Sequence, residues 1–266
     1  MKSLSSLLIT SAVIAVSSTA SAALVAGDIA LVGYQASGLT TDSFSFASLV
    51  NVDAGTVLYF TDNGFTTGSG FRGVLSTDND GNEGLVKYTV GANGLAAGQV
   101  VSSLSTNTAN GAWTLSGLIF GTTVGSGSYA PLSFSSTGEQ FTVFQSSNAQ
   151  PMLSGYTALY NFDNTGAYEA ATTSGTGQLA PGLVGGTSAI LLPSPTGANF
   201  ANFNFSAFSG AADRATWLAR MGNSANWTTS AATTDVGDGS FSVGAVPTPG
   251  AVALLGLAGL ISRRRK

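Results

Sequence analysis

Apolar residues in the interior of this chain come in short runs, each closed by Gly, Asn or Asp. That punctuation limits the fold more than any other feature, because runs of about 4–8 residues suit strands and are too short for most helices. Residues 28–34 (Asp-Ile-Ala-Leu-Val-Gly-Tyr) read as a first, buried strand. Residues 44–50 alternate at their start, with Phe44 and Phe46 on one face, as in a half-buried strand. A turn at 52–55 leads to residues 56–61 (Thr-Val-Leu-Tyr-Phe-Thr), rich in β-branched and aromatic side chains, and Asp62-Asn63-Gly64 closes that strand as a turn.

Residues 71–84 form a mostly polar loop, and strand resumes at 85–90 with Val86, Tyr88 and Val90 on one face. Further strands are expected at 100–104, 112–115, 140–145 and 156–162, with a weaker signal over 183–192 and a late one at 241–243. One helix is expected, over 211–221. Trp217, Leu218 and Met221 share its apolar face, with Asp213 and Arg220 on the opposite side. Arg214 falls on the apolar side, so its stem should lie along that face with its head in water. Gly222-Asn223 stops the helix.

The expected fold is therefore mainly β. It is a single β-sandwich of immunoglobulin-like or jelly-roll-like type with one short late helix, plus an N-terminal signal helix and a short hydrophobic C-terminal helix. No period of 20–50 residues points to a solenoid.

Composition narrows function by exclusion. The 266 residues include no Cys and no His, which removes disulfides, Ser-His-Asp and Cys-His sites, and the usual zinc sites. Lys2 lies near the start and Arg263, Arg264, Arg265 and Lys266 at the end. The body keeps Arg72, Lys87, Arg214 and Arg220 against all thirteen carboxylates, a net charge of −9. Such a body repels nucleic acid and anionic lipid, and no nucleic-acid partner is expected.

Candidate sites are few. Asp78, Asp80 and Glu83, with two Asn and a Gly between them, offer hard oxygen ligands for Ca²⁺, and Asp62 lies near in sequence; the plainer reading of the same residues, which we prefer, is a solvated turn. Ca²⁺ is the only cofactor they suggest. Tyr34, Tyr59, Phe60, Phe65, Trp113, Trp217 and Trp227 would stack on sugar rings if they formed an exposed row, and would otherwise fill the core. Asp163 and Glu169 are an acid pair of the kind glycosidases use, with nothing in the sequence to fix their separation. Thr, Ser and Ala are abundant, but no Thr ladder of the ice-binding type appears.

The two ends carry targeting information. Lys2, an apolar stretch over 7–16 and the small residues Ala20-Ser21-Ala22 are laid out as a secretory signal peptide, with cleavage expected after Ala22. At the other end Pro247-Thr248-Pro249 precedes eleven apolar or small residues and then Arg263, Arg264, Arg265 and Lys266. Eleven helical residues rise only about 16 Å, short for a bilayer core of about 30 Å. The terminal cations would stay on the cytoplasmic side.

This order of parts resembles the PEP-CTERM sorting signal of Gram-negative bacteria, with Thr248 where that pattern usually has Glu. The resemblance implies export through the Sec translocon, cutting by signal peptidase, transient insertion of the tail in the inner membrane and processing by an exosortase-type enzyme. It divides the chain into a signal peptide at 1–22, a β-sandwich body at 23–245 and a sorting tail at 246–266. The expected destination is the cell surface or the extracellular space, in company with extracellular polysaccharide. Within 27–227, the segments 27–34, 49–50, 55–65, 71–72, 83–84, 138–141 and Asn226-Trp227 also resemble a β-sandwich domain of bacterial extracellular proteins, loosely similar to lamin-tail modules. That domain implies no catalytic role. The expected function is a non-enzymatic surface or matrix protein; carbohydrate-, Ca²⁺- or ice-binding, and hydrolysis, remain as alternatives.

Overall fold

The computed structural model describes residues 23–36, 42–72, 84–115, 132–135, 138–149, 151–169, 177–193, 200–231 and 236–244. The expected signal peptide and sorting tail, with Ala20, Ala22, Pro247, Thr248, Pro249, Arg263, Arg264, Arg265 and Lys266, lie outside these residues, as do Asp78, Asp80 and Glu83. Among the described residues, no helix is long and apolar enough to cross a membrane.

The chain is mainly β. Its strands are β1 (Ile29–Gln35), β2 (Ser43–Ser48), β3 (Val57–Thr61), β4 (Phe65–Thr66), β5 (Gly70–Phe71), β6 (Leu85–Val90) and β7 (Gln99–Ser102). They continue with β8 (Gly111–Leu115), β9 (Gln140–Ser146), β10 (Tyr156–Asp163), β11 (Ala189–Leu191), β12 (Phe200–Phe203), β13 (Trp227–Ser230) and β14 (Gly239–Ser240). The helix α1 is Arg214–Met221. One six-stranded sheet runs β13-β12-β1-β2-β7-β14 and the other β11-β10-β9-β3-β6-β8. All their pairings are antiparallel except β10 with β11.

The two sheets share one apolar core. Phe44 of β2 lies 5.0 Å from Phe60 of β3, Phe46 lies 5.3 Å from Tyr88 of β6, and Tyr34 of β1 stacks on Phe162 of β10 at 4.9 Å, each distance between ring centroids. Each fully buried large apolar side chain contributes about 1.5–3 kcal/mol, and each aromatic pair about 0.5–1.5 kcal/mol more. Val86, Tyr88 and Val90 all enter this core, as their period-two spacing predicts.

The outer faces are covered too. The hairpin β4–β5 brings Phe65 and Phe71 over the second sheet, where they join Leu85, Phe144, Met152 and Leu183 in a separate cluster. Segment 236–244 and α1 cover the first sheet, with Ser102 Oγ donating to the Val236 carbonyl at 2.5 Å. This corrects the half-buried reading of residues 44–50: every residue of β2 is buried, because a second layer closes the face that alternation alone assigns to water. It also corrects Asp62-Asn63-Gly64, which is a buried link into the hairpin and not a surface turn. Strands β4, β5, β12 and β13 were not expected. Within 183–192 only Ala189–Leu191 is strand, and at the chain's late end the ladder is Gly239–Ser240, with residue 243 making a single bridge to Ala212.

The helix starts later than expected because Asp213 caps it: Asp213 Oδ1 accepts the Thr216 N–H at 2.7 Å. Trp217 and Met221 are buried, as their spacing predicts. Arg220 does not face away; its guanidinium lies over the rings of Phe208 and Trp217, at 4.6 and 4.7 Å from their centroids. Gly222 ends the helix at φ −76°, so a left-handed cap is not its purpose. A Cβ there would sit 2.1 Å from the Gly186 carbonyl oxygen; the glycine permits a close backbone approach.

Candidate functional site

Polar and acidic side chains gather where Tyr34 meets the end of the core. Asp62 is fully buried and its Oδ2 accepts the Ser133 N–H at 2.9 Å. Asp42 Oδ2 accepts from Phe134 N at 2.5 Å, and Glu139 Oε2 from Ser135 N at 3.1 Å. Three carboxylates from three separate stretches thus hold three consecutive main-chain N–H groups. Tyr34 adds a fourth tie, donating its hydroxyl to the Ser135 carbonyl at 2.9 Å. The result presses Phe134 into the core, 4.7 Å from Tyr34 and 4.9 Å from Phe141. Burial, with the charges of Glu139, Asp42 and Asp62, drives the Tyr34 phenol well above its usual range, so it acts as a neutral donor.

The same use of acids recurs around the molecule. Among the described residues, Asp28, Asp42, Asp62, Glu139, Asp163, Asp213 and Asp238 each accept a main-chain N–H. A carboxylate holding an N–H makes a charge-assisted bond, stronger than a neutral pair. In a chain without cysteine these bonds fasten the connections between strands.

Asp163 ends β10 and is fully buried. Its Oδ1 accepts from Thr165 N at 2.8 Å and from Thr165 Oγ1 at 2.7 Å, while Oδ2 is enclosed without a hydrogen-bond partner. Burial outweighs the Thr165 bonds, and with the nearby charge of Glu169 it pushes the carboxyl up to about 6. The Tyr168 and Tyr160 hydroxyls are likewise enclosed and unpartnered. The acid pair noted in the sequence is therefore one buried carboxyl and one partly exposed one, Glu169.

Arg214 corrects another expectation. Its head is not left in water: Nη2 pairs with Asp28 Oδ1 at 2.9 Å and donates to the Ala26 carbonyl at 2.7 Å, and Nε donates to the Gly27 carbonyl at 3.2 Å. Sequence spacing places Arg214 on the apolar side of the helix correctly, but cannot see the carbonyls that meet it there.

The aromatic residues do not make an exposed row. Tyr34, Phe60, Phe65, Trp217 and Trp227 are buried, and Tyr59 and Trp113 are half-buried against the core clusters. Two open clefts lie elsewhere. One of about 350 Å³ is lined by Ala23, Thr56, Gln145, Ser146 and Thr157 among others, all neutral, and one of about 300 Å³ lies between segments 51–54 and 92–96. Among the described residues, no group of three or more acidic side chains stands close enough to hold a metal ion. Asp62, which the sequence offers to calcium beside Asp78, Asp80 and Glu83, spends one oxygen on Ser133.

No protein-family model, curated protein or solved structure matches the chain.

Proposed function

We propose that this chain is an exported and sorted cell-surface or extracellular-matrix protein. Its body, a β-sandwich of immunoglobulin-like or jelly-roll-like type, serves a structural or interaction role within exopolysaccharide and catalyses no reaction. The observation that carries this reading is the pairing of end signals: Lys2, the apolar stretch and Ala20-Ser21-Ala22 at the front, and Pro247-Thr248-Pro249, the apolar stretch and four cations at the back. Signal peptidase cuts after Ala22. The tail halts in the inner membrane, an exosortase-type enzyme processes it at Pro247-Thr248-Pro249, and the body is released outward.

The chemistry of the body supports a scaffold role. Asp42, Asp62 and Glu139 are engaged with main-chain N–H groups, and Tyr34, Phe60, Phe65, Trp217 and Trp227, which sugar stacking would require on the surface, are in the core. The test is the intact mass of the protein recovered from the culture medium and from the cell envelope. A species starting at Ala23 and ending between Pro247 and Gly250, outside the inner membrane, is expected. A membrane species that retains Arg263, Arg264, Arg265 and Lys266 would sink the sorting reading.

A further inference from the structure

Three partly exposed aromatic rings that the strand and helix patterns do not single out gather around α1. Phe205 and Phe241 stack at 4.9 Å between centroids, with 25° between their planes. Phe208 is also partly exposed, and its chain neighbours Ala207 and Ser209 are small and exposed. Phe205, Phe241 and Phe208 rest against the buried indole of Trp217, at 6.2, 4.5 and 5.9 Å. Arg220 joins the group with its guanidinium 4.6 Å from the Phe208 centroid and 4.7 Å from that of Trp217. The rings hold this head in place without using its N–H groups. Among the described residues no hydrogen bond or ion pair engages the guanidinium, and its Nη1 is enclosed with no acceptor. Arg214 on the same helix, by contrast, spends its head on Asp28 and two carbonyls.

The charge around Arg220 differs from that of the body as a whole. Residues 170–234 carry a single carboxylate, Asp213. It caps the start of α1, about 10 Å along the axis from Arg220, and its Oδ1 is bound to the Thr216 N–H. Asp238, on the segment that carries Phe241, is committed to the Ser102 N–H and the Ser105 hydroxyl. A fixed guanidinium with unspent donors in an acid-poor surround complements a carboxylate.

We propose that Phe205, Phe208, Phe241 and Arg220 form a binding face for carboxylate-bearing sugars, the hexuronate units of an acidic polysaccharide. The proposal rests on the reading of the body as working within exopolysaccharide, and adds the face and the class of sugar. A pyranose ring carries C–H groups on one face, which settle on the negative face of an aromatic ring. Its carboxylate pairs with the Arg220 guanidinium. The exposed Asn204 stands by the same end of α1: its N–H is donated to the Asn226 carbonyl at 2.9 Å, and Asn226 Nδ2 donates to the Arg220 carbonyl at 2.8 Å. Its amide offers both a donor and an acceptor to sugar hydroxyls.

The experiment titrates the full-length chain in detergent with trigalacturonate and follows tryptophan emission, because Trp217 lies against Arg220 and reports on this face and not on the cationic tail. A saturable change is expected. Maltotriose, which has the rings without the carboxylates, and tri-glutamate, which has the carboxylates without the rings, should each bind about tenfold more weakly. Arg220→Gln should weaken trigalacturonate by about tenfold, and Phe208→Ala by about threefold. If Arg220→Gln does not fold, Arg220→Lys serves instead; it keeps the charge, loses the planar fork and should still bind more weakly than the native chain. No saturable change, equal binding of either control ligand, or affinity unchanged in the Arg220 variant overturns this face. Each of those results leaves the export reading standing, since the masses at the two chain ends are measured apart from it. A membrane species that keeps its terminal cations overturns the export reading whatever trigalacturonate does.

Discussion

The indole of Trp217 stands 4.5 Å, centroid to centroid, from the ring of Phe241, and donates its Nε1–H to the carbonyl of Ser242 at 2.9 Å. One side chain on α1 thereby fixes the last segment of the body, which also pairs through β14 with β7 and bridges residue 243 to Ala212. Trp217→Ala should lower stability by about 3–5 kcal/mol, the cost of emptying a large aromatic site. Trp217→Phe keeps most of the ring contact and loses the hydrogen bond, at about 1 kcal/mol. Urea denaturation of the two variants separates these contributions, and equal losses would refute the assignment.

Asp163 makes stability depend on pH in an unusual direction. Its carboxyl is raised from 3.8 to about 6 by burial, so the folded state holds its proton more tightly than the unfolded chain does. The stability it contributes is full below about 4 and is lost as pH rises through 6. The two values differ by about two units, which corresponds to about 3 kcal/mol. Asp163→Asn should therefore gain on the native protein as pH rises from 4 to 7.5. A constant difference across that range, by chemical denaturation at each pH, would contradict this.

Gly222 and Gly55 test two different reasons for glycine. Gly222→Ala should cost about 1–3 kcal/mol, because the new methyl meets the Gly186 carbonyl although its φ is ordinary. Gly55 has φ +81° and open space around it, so Gly55→Ala should cost about 1 kcal/mol from backbone strain alone. If Gly55→Ala proved the more harmful, the close approach at Gly186 would lose its importance.

Removing one of the carboxylates that hold segment 132–135 should loosen it locally. Asp62→Ala leaves the Ser133 N–H without its acceptor, at about 1–3 kcal/mol. Hydrogen exchange at Ser133 and Phe134 should quicken well beyond that of strand β3, and uniform exchange across both would refute a local role.

For the stretch with Asp78, Asp80 and Glu83, which lies outside the described residues, we propose a solvated segment and not a calcium site. Replacing calcium by a chelator should leave Tm unchanged. A rise in Tm with calcium that Asp78→Asn, Asp80→Asn and Glu83→Gln together abolish would make it a calcium site.

Strands built from β-branched and aromatic residues were legible from the sequence. Val57–Thr61, Leu85–Val90, Gln140–Ser146 and Tyr156–Asp163 lie where composition and alternation put them, and Trp217 and Met221 face inward as helical spacing requires. The strands that escaped notice have weaker local signals. Phe65–Thr66 and Gly70–Phe71 are two residues each, and Phe200–Phe203 alternates half-buried and buried positions through Asn and Ala. Their pairing is set by partners that no local window contains.

Nothing in the sequence marked the acids that fasten the fold. Asp62 meets Ser133 across 71 residues, Asp42 meets Phe134 across 92, and Asp238 meets Ser102 across 136. By itself the sequence determined a mainly β chain, the inward faces of strands such as Leu85–Val90 and the helix α1, because those depend on side-chain period and backbone preference over a few neighbours. Tertiary structure alone decided that both faces of β2 are covered, that Arg214 clasps the start of the body and that Asp163 is sealed away from solvent. Each of those depends on what packs against a residue from far along the chain, and periodicity records only that a side chain is buried, not what buries it.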